Sequence, residues 1–225
     1  MREHGVVPSL SMDLINSLLL FAGSLTASTL SSIAGGGAGL LQFPLLIFLG
    51  LNFQVALATH KLATVAMGLG AALSHLKKRK FPLSLATFLA IVGCLGVIIG
   101  AQIVVLVPSK AGELLLGVTI LFLGLYSRIK KQMGQTEAPV HRDISGYVIG
   151  GFFLFLLGIF NGSLTAGSGL VVTLFLVRWF GFSYKHAVAL TLVCVGLFWN
   201  GMGAVAIIQA GVSPHWAWVP VLLLG

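Results

Sequence analysis

The sequence predicts an all-α integral membrane protein of two inverted repeats, each of about five helical segments, with the second repeat incomplete at the C-terminus. Three observations predict it. The 225-residue chain is 57% hydrophobic and only 8% charged, against about 25% charged in a soluble domain, and six or more apolar runs are long enough to cross a bilayer. Two glycine-rich interruptions, Ala34 to Pro44 (AGGGAGLLQFP) and Asn161 to Leu170 (NGSLTAGSGL), sit inside apolar sequence about 130 residues apart. Basic residues cluster in short loops, in a pattern that puts equivalent loops of the two halves on opposite faces.

The elements follow in order. Leu14 to Ile33 is a first span and Leu40 to Leu49 a short second one. Between them, successive glycines weaken a helix and Pro44 lacks a backbone donor. A broken helix in hydrocarbon exposes amides, which is tolerated only where the break is buried in protein or lines a polar cavity. Phe53 to Leu76 is a third span, Leu83 to Val107 a fourth, and Gly112 to Ile129 a fifth after the turn Pro108-Ser109-Lys110. Lys130 to Asp143 is the one long polar stretch and reads as a linker. Ile144 to Phe160, the short Leu170 to Trp179, Lys185 to Ala210 and Trp216 to Gly225 follow. This gives a first transmembrane repeat at 1–129, a cytoplasmic linker at 130–143 and a second repeat at 144–225.

The halves align at Gly37 with Gly167, Gly39 with Gly169, Gly50 with Gly181, Ala56 with Ala187, and Pro82 with Pro214. Duplication with two broken helices suits a transporter. Lys77 to Lys80 supplies four bases, which places the loop after the third span in the cytoplasm. The linker, and the turn holding Arg178 and Lys185, fall on the same side. Gln209 to Pro214 carries no Lys or Arg and faces outward, so the repeats are expected to be inverted with the N-terminus outside; a parallel duplication with one span miscounted is the alternative. The second repeat stops where Gly225 aligns with Gly93, so the last hairpin is expected to be missing.

The net charge is +8, but it is explained by the loops, and no nucleic-acid partner is expected. Cys94 and Cys194 lie singly in apolar runs, with no zinc-ligand spacing and no disulfide framework. No paired carboxylates, nucleophile elbow, HExxH or P-loop is present. The expectation is therefore no enzyme, no catalytic residue, no metal and no cofactor. Trp179, Trp199, Trp216 and Trp218 lie near span ends and read as interface anchors.

The polar residues inside the spans carry the functional reading. All five acids, Glu3, Asp13, Glu113, Glu137 and Asp143, lie at span ends or in loops. Lys61 falls roughly 12 Å into the third span at 1.5 Å per residue. A buried ammonium with no carboxylate near it needs an anion or several carbonyls, unless it snorkels to the outer interface or sits there deprotonated. His60 could donate to the same anion or titrate as the site of a coupling proton; a satisfied interior histidine is the bland alternative. Helix N-termini after each break offer free amides and a favourable dipole. Gly35, Gly36, Gly37 and Gly167 are candidates for such a cradle, while Gly93, Gly96 and Gly100 read as close helix packing. Gln42, Thr59, Asn161, Ser163, Thr165 and Asn200 either touch a substrate or bond across helices.

At these residues the chain resembles the TauE/SafE family of membrane permeases. IAGGGAGLLQFPLLIFLGL resembles the family's first glycine motif, ALATHKLATVAMGLGAALSHLKKRKF its following segment, with His60 in place of Asn, and GIFNGSLTAGSGL its second glycine motif. Asn200 with Gly211 resembles the family's later N…G stretch. The resemblance implies a permease for a small anion such as sulfite or an organosulfonate, multi-pass in a bacterial inner membrane; uncoupled movement against a negative interior would favour export. Its partners would be the anionic solute, the lipid bilayer and a coupling proton. The oligomeric state stays open. A passive anion channel and a non-transporting truncated membrane protein are the alternatives.

Overall fold

The computed structural model describes residues 14–34, 36–76, 83–129 and 136–225, and every regular element among them is helical. Helix α1 (Leu14–Ala34) leads through a 3₁₀ turn at Ala38–Leu40 into the short α2 (Gln42–Phe48). Helices α3 (Phe53–Leu76), α4 (Leu83–Leu106) and α5 (Ser109–Ile129) complete the first half. The second half contains α6 (Ile144–Ser163) and the short α7 (Ser168–Trp179). It continues as a rod of α8 (Tyr184–Thr191), a π-helical stretch Leu192–Trp199 and α9 (Asn200–Gln209), and ends in α10 (Val219–Leu224). Element ends fall within three residues of those expected from sequence. Pro44 lies in the first turn of α2, where a missing N–H costs nothing, so the glycines rather than the proline make the break. The basic loop Lys77 to Lys80, with Pro82 and Gly35, lies outside the described residues.

Among the described residues, five stretches are long and apolar enough to cross a membrane, at Phe53–Ser74, Leu83–Leu106, Ser109–Tyr126, Ile144–Ser163 and Tyr184–Gln209. Helix α1 is 21 residues long and carries several hydroxyl residues. Two of these, Thr26 and Ser32, bond back to the carbonyls of Ala22 and Ser28 at 2.8 Å each, which masks their polarity within the helix.

Packing is reciprocal between the halves. Helix α4 lies against α6, α10 lies against α1, and α3 crosses the π-helical stretch. Glycines make these contacts close. A Cβ on Gly158 would stand 2.3 Å from the Gly93 carbonyl oxygen, and one on Gly96 2.1 Å from that of Phe155. At the α3 crossing, a Cβ on Gly68 would meet the Leu197 amide at 2.3 Å. Two of the four tryptophans depart from the expected interface role. Trp199 and Trp218 are buried in the core, and Trp199 Nε1 donates to the Leu89 carbonyl at 3.0 Å over Gly93. Cys94 and Cys194 are free thiols.

Turns sort onto two ends of the bundle. Gln54, at the start of α3, bonds to Val107 O (2.6 Å) and to Ser109 (2.8 Å) in the α4–α5 turn. His215 N, before α10, donates to Thr59 near the same end of α3 at 2.9 Å. At the other end, linker residues 136–143 dock on the α7–α8 turn. Ala138 N donates to Gly181 O at 2.9 Å, Arg142 Nε to Phe180 O at 3.1 Å, and the Arg142 guanidinium lies 4.2 Å from the Phe182 ring centroid. Asp143 then caps α6, accepting from Gly146 N at 3.1 Å. The Ser145 hydroxyl, followed by backbone amides, holds the Asp143 carboxyl below its ordinary pKa.

Gly181 sits at φ 69°, and a Cβ there would stand 1.6 Å from the Ala138 oxygen. Gly181→Ala is expected to detach the linker from the turn, because left-handed strain and overlap act together. Limited proteolysis should then cut within 136–143 at least several-fold faster than in wild type.

Candidate substrate cleft

The two interruptions meet. Gly36 (φ 105°) and Gly37 (φ 109°) turn the chain out of α1 in a conformation open mainly to glycine, and Gly167 (φ 74°) does the same ahead of α7. A Cβ on Gly36 would stand 2.8 Å from the backbone of Gly169, so the breaks touch through main chain. Thr165 also takes a positive φ of 58°. For a β-branched residue that is an outlier, of the kind that persists where surrounding structure fixes it and that concentrates at ligand clamps.

Beside this contact lies a cleft with about 30 Å³ of space, lined by Gly36 to Gly39, His60, Thr64, Met67, Thr165, Ser168, Gly169, Asn200 and the start of the π-helical stretch. That volume accommodates water. The Ser168 amide bonds to Thr165 O at 3.1 Å, and the amide of Gly169, which lines the cleft, has no acceptor among the described residues. The α7 N-terminus thus presents a donor and the positive end of its dipole at the cleft.

Lys61 stands behind the cleft rather than in it. Its side chain is fully buried, and its ammonium donates to Asn161 O (2.8 Å), Asn161 Oδ1 (3.1 Å) and Asn200 Oδ1 (3.5 Å). Of the ways the sequence left open for this charge, the structure uses carbonyl oxygens, and snorkelling is excluded. The asparagines carry the network forward. Asn161 Nδ2 donates to Ser168 (2.7 Å) and Thr165 (3.4 Å), and Asn200 Nδ2 to Thr64 (2.8 Å). The cation is therefore one polar residue away from the cleft hydroxyls, and no carboxylate opposes it there.

The remaining candidates separate. His60 lines the cleft and its Nδ1 faces Gln42 Oε1 at 2.5 Å, so Gln42 holds His60 without lining the cleft. Thr59 is turned toward the α3 start, donating to Val55 O at 2.7 Å and accepting from His215 N. Ser163 bonds to its own helix at Ile159 O, 3.0 Å away. Gly35 lies outside the described residues. Thr64, Ser168 and Gly169 join the cleft unannounced by the sequence reading. Thr64 was findable, since it lies one turn beyond His60 and Lys61 and shares their face.

Interrupted short helices, a buried cation network and five spanning stretches define a polytopic helical membrane protein whose breaks enclose a polar cleft. The family model for sulfite exporter TauE/SafE matches residues 19–225, and the chain belongs to that family. It is similar to a "Probable membrane transporter protein" of Haemophilus influenzae, 30% identical over 172 residues, which cover 76% of this chain and 66% of that protein. It is 27% identical to a "Probable membrane transporter protein ORF9" of Sinorhizobium sp, over 76% of this chain and 65% of that one. It is 26% identical to the "Probable membrane transporter protein YfcA" of Escherichia coli K12, over 96% of this chain and 79% of that one. The chain thus spans just under two thirds of the length of the first two relatives. No solved structure matches it.

Proposed function

We propose that the protein is a secondary carrier for a small anion, held in the cleft where the two interrupted segments meet. The observation that carries this reading is the pairing of a buried lysine network with the open Gly169 amide of α7, with no buried carboxylate among the described residues. Each of those groups favours negative charge. The family supports a sulfur oxyanion, sulfite or an organosulfonate, as substrate. Movement of the anion without a coupled proton would favour export, since a negative interior opposes anion entry by about 2.3 kcal/mol per charge per 100 mV. The small volume of the cleft favours a carrier over an open channel, because an oxyanion larger than water needs the halves to part.

The alternating motion rests on the repeats at 1–129 and 144–225, joined by the linker at 130–143 and related by a pseudo-twofold axis. Reciprocal packing supports that relation: exchanging α1 with α6 and α4 with α10 turns the α4–α6 contact into the α10–α1 contact. We place the linker and the α7–α8 turn in the cytoplasm of a bacterial inner membrane by their bases.

Asn200→Asp tests the charge preference. The carboxylate keeps an acceptor for Lys61 but cancels its field at the cleft. Sulfite and methanesulfonate flux in proteoliposomes is expected to fall at least about tenfold, each tenfold being 1.4 kcal/mol of lost stabilisation, with folding retained. Equal flux in the variant would remove the cleft from the pathway.

A further inference from the structure

A second hydrogen-bonded chain reaches the cleft from the opposite side, and its direction can be worked out atom by atom. The Leu222 carbonyl of α10 only accepts, so the Ser24 hydroxyl of α1 donates to it, at 2.8 Å. Ser24 Oγ then has lone pairs left for Gln42 of α2, and takes the Gln42 Nε2 amide at 2.7 Å. With the amide so oriented, Gln42 Oε1 faces His60 Nδ1. A carbonyl oxygen cannot donate, so Nδ1 carries a proton in either charge state of the ring. All four residues belong to buried parts of the bundle.

The exchangeable position is therefore Nε2. It stands on the cleft side, where a Cβ on Gly39 would be 3.0 Å from it, and it has no hydrogen-bond partner among the described residues. In the neutral ring, Nε2 is a bare lone pair. An anion entering the cleft would meet that lone pair with its own, acceptor against acceptor. With a proton added, the same atom becomes a charged N–H donor aimed at the anion.

We infer that His60 couples anion movement to a proton: Nε2 takes one proton from water as the anion enters and returns one as it leaves, with Gln42 as the positioning residue that denies the ring its other neutral tautomer. This rests on the anion cleft proposed above. The surroundings suit a single proton site. Gln42 and Phe43 meet the ring from α2, the latter stacked at 6.0 Å between centroids, and the Gly39 and Ala166 segments close the far side. From α3 itself the charged neighbour is Lys61, whose ammonium is directed to Asn161 and Asn200. Across the cleft, Thr64, Thr165, Ser168, Thr191 and Asn200 are uncharged. Charge therefore enters this pocket only with the anion and the proton, which balance each other for a monoanion such as methanesulfonate.

The test uses the full chain in liposomes with an internal pH dye, and methanesulfonate or sulfate as the probe, both fully ionised across about pH 5 to 8 while histidine titrates. Wild type is expected to acidify the lumen as the anion enters, one proton per anion above the leak. His60→Asn, whose amide donates without titrating, is expected to lose the acidification and the pH dependence of whatever anion flux it retains. Nitrogen-15 histidine NMR at high pH should show His60 with Nδ1 protonated and Nε2 bare, and Gln42→Leu should mix the two tautomers. Anion entry without acidification in wild type, unchanged acidification in His60→Asn, or an Nε2-protonated neutral ring would overturn the coupling and leave the anion cleft standing. No movement of either probe in wild type would sink both.

Discussion

Lys61→Met is expected to abolish anion flux, by at least about a hundredfold or 2.7 kcal/mol of lost stabilisation, while the purified protein stays monodisperse. The methionine matches the buried stem, so the cavity term is small. What disappears is the charge that Asn161 and Asn200 relay to Ser168, Thr165 and Thr64. Asn161 also loses the donor to its backbone and side-chain oxygens, and leaving buried carbonyls unmet costs about 1–3 kcal/mol each, whereas Asn200 Oδ1 keeps the Asn161 amide at 3.2 Å. A fall in thermal stability should therefore accompany the loss of transport. Lys61→Arg separates the effects, because it keeps the charge but lengthens the side chain. A Cβ on Gly203 would already be 3.0 Å from Lys61 Cδ, Cε and Nζ, so the bulkier guanidinium is crowded. Restored stability with poor flux is expected. Flux in Lys61→Met comparable to wild type, measured as counterflow of labelled methanesulfonate, would mean that the buried cation serves the fold alone.

Gly158→Ala should do the greatest damage to the fold for the smallest chemical change. The added methyl would overlap the Gly93 carbonyl at 2.3 Å, and both atoms belong to helix backbone that no rotamer change can move. Helices α4 and α6 would have to separate along a seam that also includes Gly96, Gly100 and Gly162, where added Cβ atoms would come within 2.1 to 2.3 Å of backbone oxygens. In a membrane, such seams depend on close van der Waals packing rather than on expulsion of water, so a small separation loses many contacts. Overpacking costs about 1–3 kcal/mol in well-filled interiors, and a backbone clash belongs at or above the upper end. Gly117→Ala is the control. Its Cβ would meet nothing within 4 Å, and alanine is the better helix former by about 1 kcal/mol, so that variant should be unchanged or slightly more stable. Size-exclusion profiles and thermal unfolding in detergent compare the two. Similar behaviour would mean that the seam tolerates separation.

Much of this architecture is legible in the chain because lipid punishes irregular backbone. Each run of apolar residues has to close its own hydrogen bonds, so spans α3 and α4 could be delimited almost to the residue. The breaks were visible for the same reason: glycine clusters inside apolar sequence are rarely free of consequence in hydrocarbon. What the sequence could not give was direction. It singled out Lys61, Asn161 and Asn200 separately, but nothing in spacing says that an ammonium in α3 is met by asparagines 100 and 139 residues away. Trp199 looked like an interface anchor because position along the span was the only guide, whereas a glycine on a neighbouring helix makes room for its ring in the core. Gln42 and Ser24 were separated in the same way. One was a polar residue without a stated partner and the other one of several serines in α1, until α10 supplied the acceptor that orders them.

That acceptor has a consequence for biogenesis. Ser24 and Leu222 are 198 residues apart, so translation at about 5–20 residues per second separates their synthesis by on the order of 10–40 s. Throughout that interval α1, α2 and α3 can be inserted in the bilayer while the hydroxyl of Ser24 still lacks its acceptor and the imidazole of residue 60 is free to tautomerise. The nascent protein thus orders this hydrogen-bonded chain only after α1 to α9 have been made. A half-synthesised chain is a membrane-embedded scaffold with the chemistry of its interior not yet set.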